Sequence, residues 1–96
     1  MNPIEQKNIE TIERLRNLLM QTEKWPVRYM FKFIVPNSND RVNRVVATLP
    51  ANGNTSFRPS KDIHYVCVTH VCQMASADDI VAAIHRATAI DGVISL

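Results

Sequence analysis

The sequence predicts an α+β domain in which two helices pack on one face of a four-stranded antiparallel sheet. Two segments alternate apolar and polar residues with a period of two, which is typical of strands. Two others follow a cap-forming residue and repeat apolar residues every three or four positions, which is typical of helices. The chain of 96 residues is long enough for one domain, and 46% of its residues are apolar, so a core can form without metals or disulfides.

The first 22 residues predict an amphipathic helix. Isoleucine and leucine recur on one arc of this helix, while acidic and basic residues share the rest of its circumference. The mixed charge of the polar side indicates packing against protein rather than against a membrane surface. We therefore expect an N-terminal helical segment over residues 1–24 and a compact domain over residues 25–96.

Residues 27–35 predict the first strand, and its aromatic residues all fall on one side. Because this side is the most apolar part of the strand, we expect it to face the helices. The cap-forming residues 37–40 then begin a helix that runs to about Leu49, where Pro50 stops it.

Two more strands are predicted in the middle of the chain. Residues 56–60 predict a weak strand, and because Pro59 cannot donate a ladder hydrogen bond this segment is either an edge strand or the start of a loop. Residues 63–72 predict a strong strand that is apolar on both sides, which indicates a central strand covered on both sides.

The last helix is predicted to begin at Ser76, with Asp79 three residues later as in a capping box. Gly92 follows its end, and residues 93–96 predict a short final strand. After the first helix, the elements thus follow the order βαββαβ, which is the ferredoxin-like pattern. Two right-handed crossovers of this kind place both helices on the same face of the sheet.

The charge distribution limits the classes of partner that we expect for this chain. The net charge of +2 is too small to indicate a polyanion ligand. Within residues 28–61, however, Asp40 is the single acid beside six basic residues, which are Arg28, Lys32, Arg41, Arg44, Arg58 and Lys61. We interpret this segment first as a solvated basic surface and, as the alternative, as a nucleic-acid interface.

The sequence contains no signal-peptide pattern and no apolar run near the roughly 18 residues of a membrane span. We therefore expect a cytoplasmic protein that has no membrane contact. Its two cysteines, Cys67 and Cys72, are then expected to be reduced thiols.

Residues 67–72 contain Cys67, His70 and Cys72, and so resemble a metal or thiol-redox motif. Alternation along a strand turns the two cysteines to opposite faces. His70 and Cys72 share a face, but they lie roughly 6.5–7 Å apart along the strand, too far for a nucleophile–base hydrogen bond. Two ligands are also too few for a structural zinc site.

We therefore predict no catalytic, cofactor-binding or metal-binding residue, and we expect that the chain is not an enzyme. An enzyme that uses the His70–Cys72 face is the third hypothesis. His64 and His85 are expected to be exposed polar residues. Asp78 and Asp79 are explained by the dipole of the helix that they begin.

The aromatic residues allow an RNA-binding interpretation. RNA-recognition domains share the βαββαβ order and stack bases on aromatic residues of the two central strands. Here Tyr29, Phe31 and Phe33 lie on the first strand and Tyr65 lies on the third. Because the aromatic side of the first strand is its most apolar side, packing in the core is the preferred interpretation.

Three stretches resemble the small bacterial YbeD-like family of unknown function: residues 29–35, 58–68 and 90–96. They match an aromatic first strand with a lysine, a basic-Pro-Ser hairpin before a tyrosine-containing third strand, and a last strand that ends in leucine. The resemblance covers about residues 15–96. The chain departs from the family in its longer first helix and at residues 62–64, where a glycine is common in the hairpin.

This resemblance implies a ferredoxin-like fold similar to ACT regulatory domains. Such domains generally bind small effectors, often amino acids, near the loop after the first strand. That loop corresponds to residues 36–40, which contain no glycine for close approach to a ligand. An amino-acid site is therefore not supported residue by residue.

We expect a non-catalytic regulatory or protein-interaction module that acts as a small homodimer or binds another protein. Met30 and Ile34, with part of the third strand, make the second face of the sheet too apolar to be bare. The first helix, a second subunit or both are the expected covers. Nucleic-acid binding through residues 28–61 is the alternative, and binding of a small effector is a further one.

Overall fold

The computed structural model describes residues 3–22 and 24–96. This part of the chain forms three helices and four strands, in the order α1 (Pro3–Thr22), β1 (Val27–Pro36), α2 (Asn39–Thr48), β2 (Asn54–Pro59), β3 (Tyr65–Met74), α3 (Ala77–Thr88) and β4 (Ile94–Ser95). All paired strands are antiparallel, and the strand order is β2-β3-β1-β4. The predicted α+β domain with a four-stranded antiparallel sheet is confirmed.

Helices α2 and α3 begin at serine caps: Ser76 is the predicted start of α3, and Ser38 is one of the cap-forming residues 37–40 that were predicted to begin α2. The Ser38 hydroxyl accepts a hydrogen bond from the Arg41 amide at 3.4 Å, and the Ser76 hydroxyl accepts one from the Asp79 amide at 3.1 Å. These bonds satisfy amide groups that have no partner within their helix. Gly92, with φ +81°, follows α3 in the left-handed region that favours glycine.

Alternate residues of β1 and β3 face the helices and form the core. Phe31 lies opposite His70 and Phe33 lies opposite Val68, and all four are buried. Helices α2 and α3 add side chains such as Val45 and Ile80 to the same cluster. The aromatic side of β1 therefore faces inward, as predicted from its apolar character.

Helix α1 extends the helical layer and leaves the other face of the sheet uncovered. It packs against α3 and β4, and its residues Ile12 and Leu19 belong to the core. The buried Asn8 side chain donates to Val93 O at 3.1 Å and accepts from the Ser95 amide at 3.3 Å. The predicted division of the chain at residue 24 stays a prediction.

No helix in the described part of the chain is long and apolar enough to cross a membrane. Helix α1 has 20 residues but carries charged residues along its length.

The hairpin between β2 and β3 differs from the predicted one. Ile63, which was expected to begin β3, has a φ of +58°, and its amide donates to Ser60 O at 3.0 Å. A β-branched residue with this φ lies in a turn and cannot continue a strand. As a result β3 begins at Tyr65, while β2 begins at Asn54, earlier than predicted.

Strand β3 is an interior strand that is covered on one side only. Val68, His70 and Cys72 are buried against the helices, whereas Cys67 and Thr69 on the other side are partly exposed. Of the covers expected for the second side of β3, helix α1 is therefore wrong, because it packs against α3 and β4, and a second subunit stays a prediction. An apolar pattern on both sides of a strand does not require a second covering layer within the same chain.

Candidate functional site

We call the side of the sheet opposite the helices the open face. The strand pairings assign it alternate residues of all four strands, which are Arg28, Met30, Lys32, Ile34, Pro36, Asn54, Ser56, Arg58, Tyr65, Cys67, Thr69, Val71, Gln73 and Ile94. None of these residues is fully buried.

Two apolar rows cross the open face. Met30 lies opposite Val71, and Ile34 lies opposite Cys67 with Ile94 on its other side. Met30 is 53% exposed and the other four residues are partly exposed. Contiguous apolar surface rimmed by polar residues is typical of interaction sites on proteins.

The open face is also basic. It carries Arg28, Lys32 and Arg58, and none of its strand positions is occupied by Asp or Glu. Lys32 lies opposite Thr69, between the two apolar rows, so that positive charge and apolar surface alternate along β1.

The fold divides the basic segment that was predicted as one surface. On α2, Arg41 forms a salt bridge with Asp91 at 3.5 Å, and Arg44 lies 3.9 Å from Asp40. Both pairs are solvent-exposed and contribute little stability. They nevertheless offset charge on α2, whereas the cations of the open face have no acidic neighbour on their own strands.

A shallow cleft of about 210 Å³ lies at the Arg28 end of the open face. Asn52, Asn54 and Gln73 line it beside Arg28, and Val71 contributes apolar surface. Guanidinium and carboxamide groups can donate hydrogen bonds to a carboxylate. The cleft is therefore chemically suited to an acidic group.

The two cysteines lie on opposite sides of β3, as predicted. Cys67 is partly exposed on the open face, and Cys72 is buried beneath the helices. Burial raises the pKa of the Cys72 thiol, which lies 3.4 Å from the Met74 sulfur. The two thiols cannot form a shared site without breaking the strand.

Alkylation with iodoacetamide is expected to modify Cys67 in the folded chain and Cys72 only after unfolding. The thiolate is the reactive species, and Cys72 is both buried and raised in pKa. Peptide mass spectrometry with and without denaturant measures both rates. Equal alkylation of the two cysteines in the folded chain would contradict the assigned faces.

His70 has a hydrogen-bond partner at each ring nitrogen. Nε2 lies 2.8 Å from Pro50 O, and Nδ1 lies 2.7 Å from Thr55 Oγ1. Because a carbonyl oxygen only accepts, Nε2 carries a proton, and in the neutral ring Nδ1 accepts from the Thr55 hydroxyl. His70 therefore joins the α2–β2 loop to β2 and β3. Its signal in the sequence was a histidine that shares one face of an apolar strand with Cys72, which does not identify these partners.

The other histidines and the acidic start of α3 have no common site. His64 and His85 are exposed, as expected. Asp78 forms an exposed salt bridge with Arg16 of α1 at 3.2 Å. Among residues 3–22 and 24–96, no three His, Cys, Asp or Glu side chains are grouped so that they could hold a metal ion.

The loop after β1 is attached to the β2–β3 turn. The Asn37 amide donates to His64 O at 2.9 Å, and the Asn37 side chain donates to Ile63 O at 2.7 Å. Within the turn, the Asp62 carboxylate accepts from the Ser60 hydroxyl and from the His64 amide, and these bonds lower the pKa of Asp62. The polar groups of this loop thus stabilise a turn.

Comparisons with protein-family models, with curated proteins and with solved structures found no match to this chain. The geometry and chemistry of the open face are therefore the basis for assigning a function.

Proposed function

We propose that this chain is a non-catalytic protein-interaction module that binds its partner through the open face. The exposed apolar rows of that face carry the proposal, because a sheet face of this kind is stabilised when another protein covers it. The two groups on which the enzyme hypothesis depends, His70 and Cys72, have structural partners instead. His70 is held by Pro50 and Thr55, and Cys72 is buried beside Met74.

The proposal includes a ferredoxin-like fold extended by α1. It is supported by the βαββαβ order after α1 and by the central position of β1 and β3 in the sheet. The similarity to the YbeD-like family and to ACT domains stays a prediction based on sequence motifs. The homodimer and the cytoplasmic location also stay predictions.

Nucleic-acid binding is the second candidate function, because Arg28, Lys32 and Arg58 share the open face. Proteins that bind single strands usually add aromatic side chains on which bases stack. The middle of the open face has none, and Tyr65 lies at its end. A protein partner therefore accounts better for the apolar rows.

Replacing Met30 with serine is expected to weaken partner binding roughly tenfold, because a methionine at the centre of an interface contributes apolar burial. The matched control is Met20→Ser, since Met20 is 65% exposed on α1. Tagged chains would be purified from their native cells, and retained proteins quantified by mass spectrometry. We expect the wild type and Met20→Ser to retain a common partner that Met30→Ser loses. Identical partners at equal yield for all three chains would refute the assignment of this face.

A further inference from the structure

We infer that the partner of the open face is an acidic amphipathic helix, whose apolar side covers the two apolar rows and whose carboxylates pair with the cations between and beside them. This inference rests on the proposed function and adds the chemical class of the partner.

The position of Lys32 carries the inference. Lys32 lies between Met30 and Ile34 on the same side of β1, roughly 6.5–7 Å from each along the strand. A partner that covers both apolar rows must therefore also cover the Lys32 ammonium. Removing an ammonium group from water without a counter-charge is strongly unfavourable. An acidic residue of the partner, placed between two apolar ones, supplies that counter-charge.

Two arginines near the apolar rows also favour an acidic partner. Arg58 lies on β2 beside Cys67, at one side of the second apolar row. Arg28 lies beyond the first row, where it lines the cleft with Asn54 and Gln73. Positive groups therefore lie between the two apolar rows, beside the second row and beyond the first row. Each of them can pair with a carboxylate.

A second copy of the open face does not supply these carboxylates. Two open faces placed together would bring the Arg28, Lys32 and Arg58 side chains of both copies into one interface. No strand position on either face offers an Asp or Glu side chain. Like charges facing each other across an interface suppress association. The charge of this face thus favours a different, acidic partner.

The dimensions of the rows fit a helix. Met30 and Ile34 lie on β1, and Val71 and Cys67 lie opposite them on β3. Neighbouring strands are about 4.8 Å apart, so two strands with their side chains match a helix about 10 Å wide. The inward side of the same two strands already packs against helices, so this pair of strands can accommodate a helix.

Three synthetic helical peptides of about 18 residues, or about five turns, test the inference. They share one leucine stripe, and their polar side carries glutamate, glutamine or lysine. Each would be titrated into the isotope-labelled full chain, and the amide chemical shifts of the open face followed by NMR. We expect the glutamate peptide to bind at least about tenfold more tightly than the glutamine peptide at low salt, with this advantage falling as salt rises. The lysine peptide is expected not to bind.

Charge reversal at Lys32 provides the matched test. Lys32→Glu is expected to remove most of the preference for the glutamate peptide, because a carboxylate then lies between the apolar rows while Arg28 and Arg58 remain. Lys32→Gln removes the charge without introducing the opposite one, and it is expected to reduce the advantage of the glutamate peptide over the glutamine peptide, with Arg28 and Arg58 supplying what remains. The control is Arg14→Glu on the exposed side of α1, which is expected to leave the wild-type preference unchanged.

Other outcomes overturn the inference and separate it from the proposed function. Equal binding of the glutamate and glutamine peptides to the wild type removes the acidic requirement but leaves a protein-binding face. A dimeric mass that becomes monomeric in Met30→Ser assigns the face to a second copy. Binding of oligothymidine at the face, with no peptide binding, overturns both proposals. If no probe binds, the acidic-helix inference is wrong, and the Met30→Ser purification then decides the proposed function by itself.

Discussion

Replacing Phe33 with alanine is expected to lower the free energy of unfolding by about 3–5 kcal/mol. Phe33 is completely buried, lies opposite Val68, and stacks on Phe31 with ring centroids 6.2 Å apart. The substitution removes this apolar burial and leaves a cavity between the sheet and the helices. Since domains of this size have a total stability of about 5–15 kcal/mol, the variant should be partly unfolded at moderate temperature.

Urea denaturation followed by circular dichroism measures this difference. Phe57→Ala is the matched control, because Phe57 lies on edge strand β2 of the same sheet and is 54% exposed. We expect Phe57→Ala to lower the free energy of unfolding by less than about 1 kcal/mol. Equal losses for the two phenylalanines would be inconsistent with the assigned inward side of β1.

Replacing Gly53 with alanine is expected to lower the free energy of unfolding by about 2–4 kcal/mol. A Cβ atom at Gly53 would overlap the His70 ring and lie 2.7 Å from Val71 O. The backbone of Gly53 is not in the left-handed region, so the cost arises from lack of space. The ring cannot move away without breaking its hydrogen bonds to Pro50 and Thr55.

A double-mutant cycle isolates this cause. The ring is absent in a His70→Ala background. Gly53→Ala should therefore lower the free energy of unfolding clearly less in that background than in the wild type. Asn52→Ala, at the neighbouring exposed position, is the control for changing the loop itself. Additive losses from Gly53→Ala and His70→Ala would show that the ring is not the obstacle.

Substitutions at neighbouring positions of β1 are expected to affect different properties, namely stability at one position and binding at the next. Phe33 faces the helices, whereas Lys32 and Ile34 belong to the open face. Variants at Phe33 should therefore reduce stability, and variants at Lys32 should change partner preference in a folded chain. This separation follows from the alternation of side chains along a strand.

The amino-acid sequence by itself determined the elements that depend on neighbouring residues. The alternation in β1 identified its inward aromatic side, and cap-forming residues marked the starts of α2, at residues 37–40, and of α3, at Ser76. The same alternation separated Cys67 from Cys72. These features were predictable because strand periodicity and helix capping act over a few residues.

The tertiary structure alone decided what each apolar or polar group packs against. The apolar arc of α1 predicted that this helix packs against other apolar surface. Its position beside α3 and β4, however, depends on residues distant in the chain, such as Val93 and Ser95, which form hydrogen bonds with Asn8. The turn at Ile63 and the hydrogen bonds of His70 likewise join segments that are separate in the chain. The uncovered side of β3 was decided in the same way, because a strand's pattern records which residues are apolar and not whether another layer lies above them.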